Sequence, residues 1–181
     1  MEHINQDLSS LKPDIEFVVK TFKSGGQDLE AACQQYRATA KIDDFTWRDI
    51  LDESLKVLAL DSTPSTEHFD LLIKLGANQY RTNVIEHLTK KQTWDVLKYM
   101  FEHGQKYSDE SEAESIYHIE RAIAYVARYG IDCLDSANTQ DINNFLTGAQ
   151  IFLNLTDIDY ITKYEELQEL VAEVEMLKST E

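Results

Sequence analysis

Two stretches of the chain end in the same way. "HFDLLIKLGANQY", from His68 to Tyr80, and "DVLKYMFEHGQKY", from Asp95 to Tyr107, each carry apolar residues at helical spacing up to a glycine. Those glycines, Gly76 and Gly104, stand 28 residues apart. Each stretch reads as the last turns of an amphipathic helix, with glycine supplying the positive φ of a sharp exit. A helix pair cannot cover its own apolar side, so a repeated helix ending predicts units that bury it against their neighbours. With only 6 Gly and 2 Pro in 181 residues, a turn-rich β fold is excluded and an all-α fold of about eight helices is expected.

The remaining periodicity fits that frame. Pro13 suits a first helical turn, with Ile15, Val18, Val19 and Phe22 on its apolar side and Gly25-Gly26 as its stop. A second helix follows from Asp28 through Leu29, Ala32, Cys33 and Tyr36. Thr46 is the expected N-cap of a third, and Ser65 or Thr66 of a fourth. Helices are predicted over 83–91 and 93–103. A long one is predicted to end at Gly130, where "AIAYVARYGID" gives a third, weaker copy of the glycine ending. Ile142 to Leu155 forms another, after a loop with capping candidates. The last runs from Thr156 to Lys178, with Thr156 and Asp159 as its starting box. Short links between successive helices favour antiparallel neighbours.

"DVLKYMFEHGQ" resembles the second helix of an ankyrin repeat. Val96 and Leu97 match the paired aliphatics, Tyr99, Met100 and Phe101 the aliphatic core, and Gly104 the closing glycine. "FDLLIKLGAN" matches through Leu71, Leu72, Ile73, Gly76 and Ala77. The position of the family's Thr-Pro-Leu-His holds Asn83, Val84, Ile85 and Glu86, and the spacing falls short of the family's ~33 residues, so the resemblance implies a shortened connection. It covers roughly residues 45–130 and implies stacked antiparallel helix pairs and a protein-binding role. Another α-solenoid and a non-repeating helical bundle are the alternatives. The expected layout is a single domain over 1–181: capping helices in 1–43, repeat-like pairs in 44–130 and acidic helices in 131–181.

Charge is uneven along this layout. The formal net charge is −16. Residues 1–43 and 44–107 contribute −2 each, and residues 108–181, with 4 basic against 16 acidic side chains, contribute −12. Such a field repels nucleic acid and anionic membrane and favours a basic partner. No apolar run is long enough to span a bilayer, and the N-terminus carries no Sec-type signal. A cytoplasmic location is expected, or delivery into a host cell. Two cysteines are too few for a disulfide scaffold, and Cys33 lies on an apolar helical face as a buried free thiol.

Signatures of catalysis are missing: no HExxH, phosphate loop, GxSxG, CxxC or GxGxxG occurs. Glu-His recurs at 2–3, 67–68, 86–87 and 102–103, but adjacent helical residues point about 100° apart and cannot grip one ion. Zinc would require His68, His87 and His103 to converge in space. Asp157 and Asp159 have calcium-loop spacing but lack the glycine and glutamate such a loop needs. No cofactor is expected. The predicted role is a non-catalytic protein-interaction module, similar to bacterial effectors and to inhibitor or immunity-type proteins that sequester a partner. The partner is another protein with a basic surface, steered by Glu165, Glu166, Glu169 and Glu173 and anchored by Trp47, Tyr80 and Tyr107. The chain itself is expected as a monomer or weak homo-oligomer. A nucleic-acid mimic and an enzyme without a recognisable motif are the competing readings.

Overall fold

The structure, a computed structural model, describes residues 8–25, 28–61, 65–105, 112–136, 138–155 and 161–179. Every regular element among them is helical. A 3-10 turn, Leu8–Leu11, leads into α1 (Lys12–Ser24), followed by α2 (Leu29–Ala40), α3 (Asp44–Ala59), α4 (Thr66–Leu75) and α5 (Val84–Lys90). Then come α6 (Trp94–His103), α7 (Glu112–Ser136), α8 (Thr139–Leu153) and α9 (Tyr164–Lys178). No helix is long and apolar enough to cross a membrane, among the described residues.

Short acidic and amide side chains start several of these helices. Asp28 accepts from the Ala31 N–H, and Asn138 from those of Gln140 and Asp141. α3 begins earlier than its sequence suggests. Asp43, not Thr46, is the N-cap, accepting the N–H groups of Phe45 and Thr46. Thr46 sits inside the first turn and donates its hydroxyl to Asp43 Oδ2 at 2.7 Å. These bonds, those from Thr46 foremost, hold the Asp43 carboxyl below the usual range.

Helix exits separate the two glycines. At Gly76 φ is 111°, Gly76 N–H donates to the Ile73 carbonyl and Ala77 N–H to that of Leu72, a Schellman closure. Two other helices close by the same pair of bonds without glycine, at Lys41 and Gln92, each with φ of 55°. Gly104 is different: its φ is −73°. It is glycine because a Cβ there would strike the Met100 carbonyl and come within 2.5 Å of Gln79 Nε2. Gly130 ends nothing, which corrects the third copy of the motif. α7 runs straight through it, and a Cβ at Gly130 would lie 2.5 Å from the Phe145 ring and 2.7 Å from Leu170. Its glycine serves close approach of α8 and α9 to α7. Cys133 is accordingly inside α7 and buried, not beyond a helix end. α9 starts at Tyr164; the expected box at Thr156 and Asp159 lies outside the described residues.

Helix neighbours follow an order. α1 packs on α3, α3 on α5 and α5 on α7; α4 packs on α6 and α6 on α8. Between these two rows, α3 meets α4, α5 meets α6 and α7 meets α8, while α9 lies against α7 and α8. One apolar cluster runs from Leu11 to Val174 through all nine described helices. Phe22, Phe69, Phe145 and Phe152 are fully buried in it, each contributing about 1.5–3 kcal/mol by leaving water.

Candidate functional site

α9 turns Leu167, Leu170 and Val174 inward, with Val171 half-buried beside them, so the remaining positions face solvent. Glu165, Glu166, Glu169 and Glu173 are all exposed, as are Glu175 and Met176. Glu165, Glu169, Glu173 and Met176 fall along one stripe, at steps of four and three residues. Among the described residues none of these carboxylates enters an ion pair.

Two of the expected aromatic anchors are not part of that surface. Trp47 is 4% exposed, with the Arg37 guanidinium 6.0 Å above its ring, and Tyr80 is 5% exposed. Both belong to the buried apolar cluster. Tyr107 lies outside the described residues. Among the described residues, the large apolar side chains that do face solvent are Phe45, Leu60, Tyr117, Ile131 and Met176, with Val57 at the margin. Between α6 and α8 a groove of about 600 Å³ opens over Trp94, Phe101, Ile151 and Leu155, rimmed by Asp95, Lys98 and Glu102.

A second feature is polar and lies where α3, α5 and α7 meet. Glu86 projects from α5 into the helix interface and is 3% exposed. Its Oε1 lies 2.9 Å from His118 Nδ1, and its Oε2 forms an ion pair with Arg121 Nε at 3.0 Å, both on α7. A carboxylate only accepts, so Nδ1 carries the hydrogen and Nε2 is left over. Arg121 also donates to the Tyr117 hydroxyl at 2.7 Å and sits 5.4 Å from that ring centre. Its hydrogen bonds to Tyr117 and Tyr125, with the Glu86 charge, push the guanidinium further from deprotonation.

Beside this cluster Arg81 reaches from the loop after α4 to α3. Its Nη1 donates to Asp52 at 2.9 Å and its Nη2 to Asp49 at 3.1 Å. Asp52, 3% exposed, also accepts the Asn78 N–H at 2.6 Å. Burial nevertheless raises its pKa to about 7, against the lowering effects of the Asn78 N–H and Arg81. Lys56 and Glu53 pair at 3.0 Å on the same side of α3. Together Glu53, Lys56, Arg81, Thr82, Asn83, Glu86, Tyr117, His118 and Arg121 enclose an open cleft of about 380 Å³.

This polar site was not singled out from the sequence. Its signal was a carboxylate on an apolar stripe: Glu86 stands between Val84, Ile85 and Leu88, and Asp52 beside Leu51 and Leu55. Acidic residues at such positions demand buried partners. Attention to the dipeptide Glu86-His87 missed the imidazole that Glu86 does engage, 32 residues away. His68 stacks edge-on against Phe22 and His103 face-on against Tyr99, and no group of three metal-binding side chains gathers among the described residues. Compared with protein-family models, curated proteins and solved structures, the chain matches none.

Proposed function

We propose that the protein is a non-catalytic binding module that takes a basic protein surface on the outer face of α9. One observation carries this reading. Glu165, Glu169 and Glu173 repeat at four-residue steps on an exposed stripe, where like charges destabilise a helix by about 0.2–0.5 kcal/mol per pair. The helix dipole rewards Glu165 and Glu166 in the first turn but not Glu169 or Glu173 further on. A row that repels itself and pairs with no cation among the described residues is relieved by one from outside. Met176, exposed on the same stripe, adds an apolar contact at its end.

We read the neighbour order of the helices as stacked antiparallel pairs, an ankyrin-like or related solenoid arrangement, with α9 closing the C-terminal end. Such a protein acts by occupying its partner, as effectors and inhibitor or immunity-type proteins do. A second reading uses the same row: four helical residues rise about 6 Å, a spacing suited to mimicking a nucleic-acid backbone. A partner that nucleic acid displaces in competition marks the mimic.

The test is charge reversal. With Glu165, Glu166, Glu169 and Glu173 changed to lysine, association with the partner captured at low salt slows by about tenfold or more, and helicity is retained. An unchanged association rate, or binding insensitive to salt, rejects the α9 docking face.

A further inference from the structure

The cleft between α3, α5 and α7 is lined by no residue of α9, so its occupancy does not depend on the docking role of that helix. Its chemistry is one-sided. Both oxygens of Glu86 are taken, by His118 and Arg121, and one oxygen of Glu53 is taken by Lys56. The donors are not used up. Arg81 spends its two Nη groups once each on Asp52 and Asp49, and Arg121 bonds Tyr117 and Tyr125 and faces Glu86 with Nε. Each guanidinium has five N–H donors, and an ammonium has three. The carboxylates thus hold the cations in place while leaving N–H groups to spare.

One further group points the same way. His118 is 9% exposed, with Nδ1 committed to Glu86 and Nε2 without a hydrogen-bond partner among the described residues.

We propose that this cleft binds a tetrahedral oxyanion, the phosphate group of a small phosphorylated molecule or phosphate itself. Lys56, Arg81 and Arg121 supply charge-assisted donors, and His118 Nε2 an acceptor for a protonated oxygen of the anion. Guanidinium N–H groups suit two oxygens of such an anion at once. The distant negative charge of the molecule is screened beyond about 10 Å at 0.1 M salt, so the balance is set locally, by Lys56, Arg81 and Arg121 against Asp49, Asp52, Glu53 and Glu86. The cleft, at about 380 Å³, is larger than a bare phosphate and has room for a small organic group attached to it.

Inorganic phosphate, and separately glycerol 3-phosphate, is titrated into the full chain at constant ionic strength against sodium chloride, with the His118 imidazole followed by NMR. A saturable shift of His118 at millimolar or lower concentration is expected. It should weaken about tenfold in Lys56→Gln and in Arg121→Gln, each of which loses a charge-assisted hydrogen bond to the ligand. Tighter binding of glycerol 3-phosphate assigns the site to organic phosphates; equal binding assigns it to the free anion, and both support an oxyanion site. Absence of saturation, the same shift with chloride, or undiminished affinity in both variants, with their unfolding midpoints showing them folded, overturns the proposal.

Discussion

The side chain of Gln79 makes both of its amide hydrogen bonds to the backbone of one residue, Gln105. Gln79 Nε2 donates to the Gln105 carbonyl at 2.9 Å and Gln79 Oε1 accepts the Gln105 N–H at 3.1 Å. Gln79 follows the glycine that ends α4, and Gln105 follows the glycine that ends α6. The two similar endings therefore lie side by side and are joined by a fully buried amide. Replacing Gln79 by alanine leaves both Gln105 groups unpaired and should lower stability by about 2 kcal/mol, read as a shift in urea midpoint with unchanged slope.

Gly104→Ala should cost more than Gly76→Ala, although only Gly76 has a positive φ. At Gly76 a Cβ meets nothing within 4 Å, so the cost is backbone strain of about 1 kcal/mol. At Gly104 the Cβ strikes the Met100 carbonyl and the Gln79 amide, which raises the cost to about 2–3 kcal/mol. In Gln79→Ala the second penalty should shrink. An additive double mutant would show that the two residues are not in contact.

Alanine at Gly130 is a test of tertiary override. In a free helix it stabilises by about 1 kcal/mol. Here its Cβ enters the space of Phe145 and Leu170, so net destabilisation of about 1–3 kcal/mol is expected from thermal or urea unfolding. A gain in stability would mean that α8 and α9 do not approach α7 at this turn.

Asp52 sets a pH dependence of its own. Its folded pKa, raised to about 7, exceeds the ordinary carboxylate value, so the folded state binds the proton more tightly between those two values. Stability from this group is therefore full below the unfolded pKa and declines as pH rises toward about 7. Paired carboxylates such as Asp70, lowered by Lys74 and Tyr99, slope the other way, so the comparison is between wild type and Asp52→Asn. The variant should lack the decline; parallel stability curves over that range would rule it out.

Thr82→Val should raise stability by about 1 kcal/mol, because it removes a buried hydroxyl with no hydrogen-bond partner among the described residues while keeping the side chain's shape. A lower midpoint would show that the hydroxyl is satisfied in the folded protein.

Both cysteines should resist thiol reagents until the chain unfolds. Cys33 is fully buried and its pKa is raised to about 11 by burial; that of Cys133 is raised by burial and by Asp141 and Asp132. Labelling under native conditions should follow the unfolding rate and accelerate with urea. Immediate labelling of either would place that thiol at the surface.

Periodicity alone determined that this chain is helical, where most of its helices run and which faces they bury, because a 3.6-residue apolar stripe has one way of leaving water. It also placed Glu165, Glu166, Glu169 and Glu173 on the solvent side of the last helix, since that side is what the stripe leaves over. What glycine does at each position was decided only in three dimensions. Gly76 is there for its φ, Gly104 for the Gln79 amide and Gly130 for two neighbouring helices, while Lys41 and Gln92 take left-handed closures that sequence assigns to glycine. The same holds for Trp47 and Tyr80, whose burial depends on the next element over, and for Glu86, whose partners lie 32 and 35 residues along the chain. Local spacing carries the pattern of one helix, but contacts between helices depend on packing that no short window of residues contains.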